Sequence, residues 1–367
     1  MRNNRIVFNR IMTSVVLVFI ATLSLSAKER EDNLDIQKQA NKEVAELIPA
    51  INLVTISTNQ RSLALGGLSN FVREEAFGVQ IGGLYNYIGG MGRGVAIAGL
   101  GNTTIGTYYG MQMGGLWNYN AEDSKGLIMG GLGNAVGDDF DGMQLAGLTN
   151  IAKEMKGVQL AGLTNFAGDV YGMQLAGLTN IAKDVYGLQF AGLVNVAKRV
   201  KGVQFASILN VAEESNCPIG LINIVKNGSM GVAFTYDVMG NALVSFRSGG
   251  RYTYGIIGVG CNQQTIEKVV AEAGYGVHIP VCEWLQVNNE VKATSPINTS
   301  SANFGYLLAP SITLWENCNL FGGASVNYLK SDTNLDFVPG FELWNKQSAD
   351  GVQRLYIGYQ VGVQYVF

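Results

Sequence analysis

Charge is what this chain has least of. Only 14% of its 367 residues are Asp, Glu, Lys or Arg, against about 25% in an ordinary soluble domain, so much of its surface is predicted to face something other than water. The net charge of −3 gives no footing for nucleic acid, which calls for a basic face. Histidine is nearly absent. His278 is the single one, it alternates with Val277 and Ile279, and no metal spacing or nucleophile motif accompanies it, so it reads as structural rather than catalytic. No catalytic, cofactor-binding or metal residue is therefore assigned. The four cysteines, Cys217, Cys261, Cys282 and Cys318, are far apart with no C-x-x-C pair, which leaves zinc and thioredoxin chemistry unsupported. Up to two disulfides or free thiols both remain open. Beyond the N-terminal segment no 18 consecutive apolar residues occur without glycine or a polar interruption, which excludes a helical membrane protein. The other way to cross a bilayer is a closed β-barrel.

Glycine, by contrast, is abundant at 48 residues, and it marks a repeat. Gly142, Gly157, Gly172, Gly187 and Gly202 recur every 15 residues, and Gly78, Gly94, Gly110 and Gly126 precede them every 16. Each copy closes on an asparagine, as in GMQLAGLTN. Most of the N-terminal half is an array. Within one copy the pattern has period two: Met143, Leu145, Gly147, Thr149 and Ile151 on one face, Gln144, Ala146, Leu148 and Asn150 on the other. It reads as a strand of about ten residues with the charged residues after it, such as Lys153-Glu154 and Lys183-Asp184, at the turn. Neither face carries charge, so neither is predicted to be freely wet. The glycine pairs are not phosphate loops, because no helix and no Lys-Ser/Thr follows them.

At the N-terminus, Arg2, Arg5 and Arg10 precede the apolar run Ile11 to Leu25 and then Ser26-Ala27, the pattern of a secretory signal peptide over 1–27. Residues 28–50 turn polar, with Leu34, Ile36, Val44 and Leu47 at helical spacing, and are expected to form a short amphipathic helix ended by Pro49. The array occupies 51–225. From 226 to 367 alternating strands are separated by tight turns at Gly240-Asn241 and Gly249-Gly250, then by connections that alternate short and long, as in transmembrane barrels. The last strand, Arg354 to Phe367, alternates strictly and ends on an aromatic residue.

That last strand resembles the terminal strand of bacterial outer-membrane barrels, which implies that Phe367 is an assembly signal read by the barrel-assembly machinery. The repeat, from about Leu63 to Asn223, resembles the G-x-Q-x-x-G-L-x-N surface repeats of spirochaetes and Bacteroidetes. This likeness implies a location in the outer membrane or at the cell surface more than an activity.

Two all-β architectures follow. In the first, each copy is one strand of an antiparallel transmembrane barrel of about 16 to 20 strands. Gln144, Gln159, Gln174, Gln189, Gln204, Asn150, Asn165 and Asn180 then face the lumen. The protein would be an outer-membrane pore for small solutes or a surface scaffold, with membrane lipid as its main partner and no catalysis. In the second, each copy is one coil of a parallel β-solenoid with Leu, Ile and Val stacked inside, followed by a C-terminal β-domain, and the function is adhesin-like binding. The uncharged strand faces, the unbroken change of period from 16 to 15 and the barrel-like C-terminal strands favour the first.

Overall fold

The computed structural model describes residues 49–264, 269–297, 301–332, 340–348 and 351–367. The expected signal peptide lies outside the described residues. So does the expected helix, apart from its last two residues, and Ala50 opens a strand. Every regular element among the described residues is a strand.

The array is a parallel β-solenoid. Twenty strands, β1 (Ala50–Ser57) to β20 (Ile222–Val225), form one parallel sheet wound into about twelve turns. The single barrel of 16 to 20 antiparallel strands is thereby corrected. Each residue pairs with its own counterpart one repeat on, so that Gln144 lies beside Gln159 and Gln159 beside Gln174. In-register stacking of like on like lets amides bond in rows, which an antiparallel meander of the same copies would not allow.

The ten-residue strand is really two arms. β11 (Asp139–Ala146) stops, the chain turns through Gly147-Leu148, and β12 (Thr149–Ala161) begins. Nor is the charged stretch simply a turn. β12 and the next strand, β13 (Thr164–Ala176), carry it as a third side of the coil, which runs from a corner at Lys153 and Gly168, where the pairing skips a residue, to a bend at the repeat-opening glycine. Gly187 shows why that residue is glycine: its φ is +145°, and a Cβ there would lie 2.0 Å from the Gly172 carbonyl oxygen of the neighbouring coil. The one-residue change of period is absorbed at a corner. Pairing runs Ala135↔Ile151 before it and Asp139↔Glu154 after it.

Three short sides enclose a narrow interior, and side-chain size follows from that. Val170, Val185 and Val200 stack on one side, and alanines such as Ala161, Ala176 and Ala191 fill the others. Where a ring enters, its neighbour shrinks: Tyr108 packs over Gly92 and is followed by Ser124 before Phe140. Leucine does not fit. The corner residues Leu148, Leu163, Leu178, Leu193 and Ile208 are 40% to 46% exposed, which corrects the expectation that Leu stacks inside a solenoid, whereas Ile88 and Ile128 join the valines in the interior as expected.

The C-terminal half closes into an eight-stranded antiparallel barrel. Its strands are β21 (Ser229–Asp237), β22 (Asn241–Gly249), β23 (Thr253–Asn262), β24 (Val269–Cys282), β25 (Leu285–Pro296), β26 (Ala302–Trp315), β27 (Cys318–Ser331) and β29 (Gly351–Val366). β29 pairs with β27 on one side and β21 on the other, which closes the wall. The short β28 (Phe341–Ser348) pairs with the first half of β29, beyond the end of β21.

Candidate functional site: a filled barrel and two amide ladders

The outer wall of the barrel is apolar. Phe234, Val259, Val291, Phe304, Val361 and Tyr365 all point outward and are exposed. Alternation then puts the opposite set inside, and that set is polar and charged. Arg247 on β22 donates from Nη1 to Glu290 Oε1 on β25 at 2.7 Å, and Tyr254 Oη on β23 donates to the same oxygen at 2.8 Å. Lys292 Nζ reaches Glu272 Oε2 at 3.2 Å and Glu290 Oε2 at 3.9 Å, and also donates to Gln360. The Arg247 guanidinium lies 4.3 Å from the centre of the Phe321 ring.

These groups fill the barrel. Arg247 is 1% exposed and Glu290 0%. Two carboxylates balance two cations across strands that sit apart in sequence, so each charge keeps a partner where water is scarce. A cavity lined by Asp237, Lys292, Asn327, Tyr356 and Gln360 measures about 10 Å³, room for about one water molecule. His278 lies apart from this cavity, beside Tyr254. Its ring stacks on Tyr254 with centroids 4.1 Å apart, and its Nδ1 lies 2.9 Å from Asn288 Oδ1.

The five glutamines and three asparagines expected to line a barrel lumen lie instead inside the solenoid, away from the barrel. Gln144, Gln159, Gln174, Gln189 and Gln204 are fully buried. From Gln159 onward each Nε2 donates to the Oε1 of the preceding coil, at 2.7, 2.8, 2.9 and 3.0 Å along the row, while Gln144 Nε2, at its start, turns to the Ile151 carbonyl at 3.4 Å. The asparagine row is longer. From Asn70 to Asn223, through Asn150, Asn165 and Asn180, every Nδ2 donates to the next Oδ1 at 2.7 to 3.0 Å. From Asn86 to Asn195 a second bond ties each amide to backbone, as from Asn150 Nδ2 to Leu160 O at 2.8 Å. The ladders hold one coil to the next. Their amides are turned toward each other, which leaves them no ligand to bind.

Phe367 lies at the barrel end from which the solenoid departs. Its side chain is 63% exposed, and its N–H donates to Met230 O at 2.9 Å. The four cysteines are unpaired. Among the described residues no group of three or more His, Cys, Asp or Glu is placed to hold a metal ion.

Sequence reasoning passed over Arg247, Glu272, Glu290 and Lys292. The signal was present: each is a charge at an inward-alternating position of an otherwise apolar or neutral strand, and Glu290 and Lys292 stand two apart on one face. Compared with known proteins, the chain matches no family model, no curated protein and no solved structure.

Proposed function

We propose that the chain is a non-enzymatic outer-membrane scaffold: the eight-stranded barrel spans the bilayer as an anchor and holds the solenoid on the periplasmic side. The observation that carries this reading is the inverted packing of the barrel, apolar outside and charged inside, the arrangement of a wall that meets lipid. The filled interior supports a scaffold over a pore for solutes. In this reading Phe367 closes the strand that the assembly machinery recognises.

Orientation follows from the connections. The turns 250–252, 283–284 and 316–317, the C-terminus and the solenoid all lie at one end. At the other end β21, β23, β25 and β27 finish, and the sequence between each of the last three and its next strand is longer. Outer-membrane barrels keep short turns in the periplasm and longer loops outside, which supports a solenoid inside the cell envelope. The adhesin-like alternative needs it outside.

The test is fractionation with gel mobility compared before and after heating. A heat-modifiable band in the outer-membrane fraction is expected, and release of the whole protein by a carbonate wash would overturn the reading. Protease added to intact cells should spare the array and cut it once the outer membrane is breached. Cleavage in intact cells would favour the adhesin-like alternative.

A further inference from the structure

In a parallel solenoid the backbone N–H and C=O groups point along the axis, so the last coil ends in a row of unpaired groups. Here that row meets the outer surface of the barrel wall rather than its mouth. Asn223 N–H donates to Ser248 Oγ at 2.9 Å, and Thr253 Oγ1 donates to Pro218 O at 2.7 Å. A Cβ at Gly255 would lie 2.1 and 2.2 Å from the carbonyl oxygens of Gly220 and Leu221. Ser248, Thr253 and Gly255 alternate with the inward-facing Arg247 and Tyr254, so all three point outward. The solenoid axis therefore leaves the barrel through its flank, turned toward the plane of the membrane.

The way the coil is rotated about that axis is also fixed. At the rim, Gly250 packs against Ser215 and Pro218, just after the acidic corner Glu213-Glu214. Further from the rim, Tyr275 Oη donates to Ser207 O at 3.4 Å, and Tyr275 is the pairing partner of Gly255. The Ser207-Ile208 corner thus lies toward the middle of the wall, where Ile257 and Val259 are exposed. The Leu corner row continues outward from the apolar belt.

The solenoid surface is divided to match. The Leu corner and the two sides that meet at it expose Leu160, Leu163, Phe166, Leu178 and Phe190, without charge. The opposite side carries Lys153–Asp138, Lys183–Asp169 and Arg199–Asp184. At the boundary Tyr171 and Tyr186 stack 4.9 Å apart, with Lys156 and Lys201 over their rings. Tyrosine and lysine at the edge of an apolar band are what a membrane–water interface selects.

We propose that the solenoid lies along the periplasmic leaflet of the outer membrane, its leucine corner and two flanking sides in contact with phospholipid acyl chains and its charged side in water. This rests on the barrel being a membrane anchor. Contiguous apolar surface of this extent is not left to water, and the occupant that continues the surroundings of the barrel belt is lipid.

The test uses the full chain with its four cysteines replaced by serine and one new cysteine, Val259→Cys, Leu178→Cys or Lys183→Cys, carrying an environment-sensitive fluorophore. Each is reconstituted in phosphatidylcholine vesicles with and without brominated acyl chains. Emission should be lost to brominated lipid at 178 to the same degree as at 259, with 183 unaffected. Loss at 259 but not at 178 overturns the proposal and leaves the anchored barrel standing. No loss at either position removes the anchored barrel itself, and equal loss at 178 and 183 overturns the amphipathic placement. A blue-shifted label at 178 that ignores brominated lipid and grows with protein concentration assigns the surface to a second copy instead.

Discussion

Replacing Gln174 with leucine keeps the volume of the side chain and removes a rung from the middle of the glutamine ladder. Gln174 donates to Gln159 at 2.8 Å and accepts from Gln189 at 2.9 Å, so the change strands one buried oxygen and one buried N–H. Each stranded group costs about 1–3 kcal/mol, and burying leucine in place of glutamine returns about 2 kcal/mol. The net loss is about 0–4 kcal/mol. Gln204 provides the internal control, because it ends the row: its Nε2 donates to Gln189 at 3.0 Å while its Oε1 has no partner. Gln204→Leu strands a single oxygen and removes an unsatisfied one, so the two contributions nearly cancel. Hydrogen exchange of the amides in coils 157–206, on the full chain in detergent micelles, reads the difference as local opening free energy. If Gln174→Leu opens these coils no more readily than Gln204→Leu, the ladder is not what holds them.

Three further outcomes are expected. Gly187→Ala combines a strained φ with a methyl against the Gly172 carbonyl, whereas Gly133→Ala meets nothing closer than the Thr149 oxygen at 3.1 Å; thermal melts should show a much larger loss for the first. The hydrogen bonds from Arg199 hold the Asp184 carboxyl below its ordinary value. Its stabilising contribution is therefore complete above the unfolded pKa of about 4 and is lost as pH falls through the lower folded value. Melts from pH 6 down to 2 should lose less stability in Asp184→Asn than in the parent. In the barrel, Arg247→Ala leaves Glu290 buried without its closest cation, at a cost of about 3–5 kcal/mol; adding Glu290→Gln should restore part of it. The temperature at which the folded gel band converts measures both.

A good deal of this was legible in the residues. The repeat period, the inward amides and the C-terminal strands follow from alternation and turn chemistry, whereas Leu148, which alternates with Gln144 and Asn150 on paper, turns outward at the corner. The direction of strand pairing did not, because Gly142 to Ala152 alternates in the same way whether its neighbour runs parallel or antiparallel. What decides it is the turn at Gly147-Leu148, which cuts an apparent ten-residue strand into two arms, and a Gly-Leu pair inside an alternating run gives no sign of a corner. The narrowness of the interior was equally hidden. Only once the coil is known to have three short sides does it follow that Val, Ala and amides go in and Leu stays out. Inside the barrel, Arg247 and Glu290 come together across 43 residues, a distance over which no local pattern reaches.

The coils from Gly142 to Lys201 are near copies stacked in register, and this bears on how the protein can change over generations. Duplicating or deleting the codons for one coil would shift every later coil onto an equivalent neighbour, so each side chain would meet the same partners as before. Length would change by one strand spacing, about 4.8 Å, while the first coil and the seat on the barrel stayed as they were. Reach of the solenoid from the barrel is thus a quantity that recombination can adjust in single steps, without a new fold having to be found at any of them.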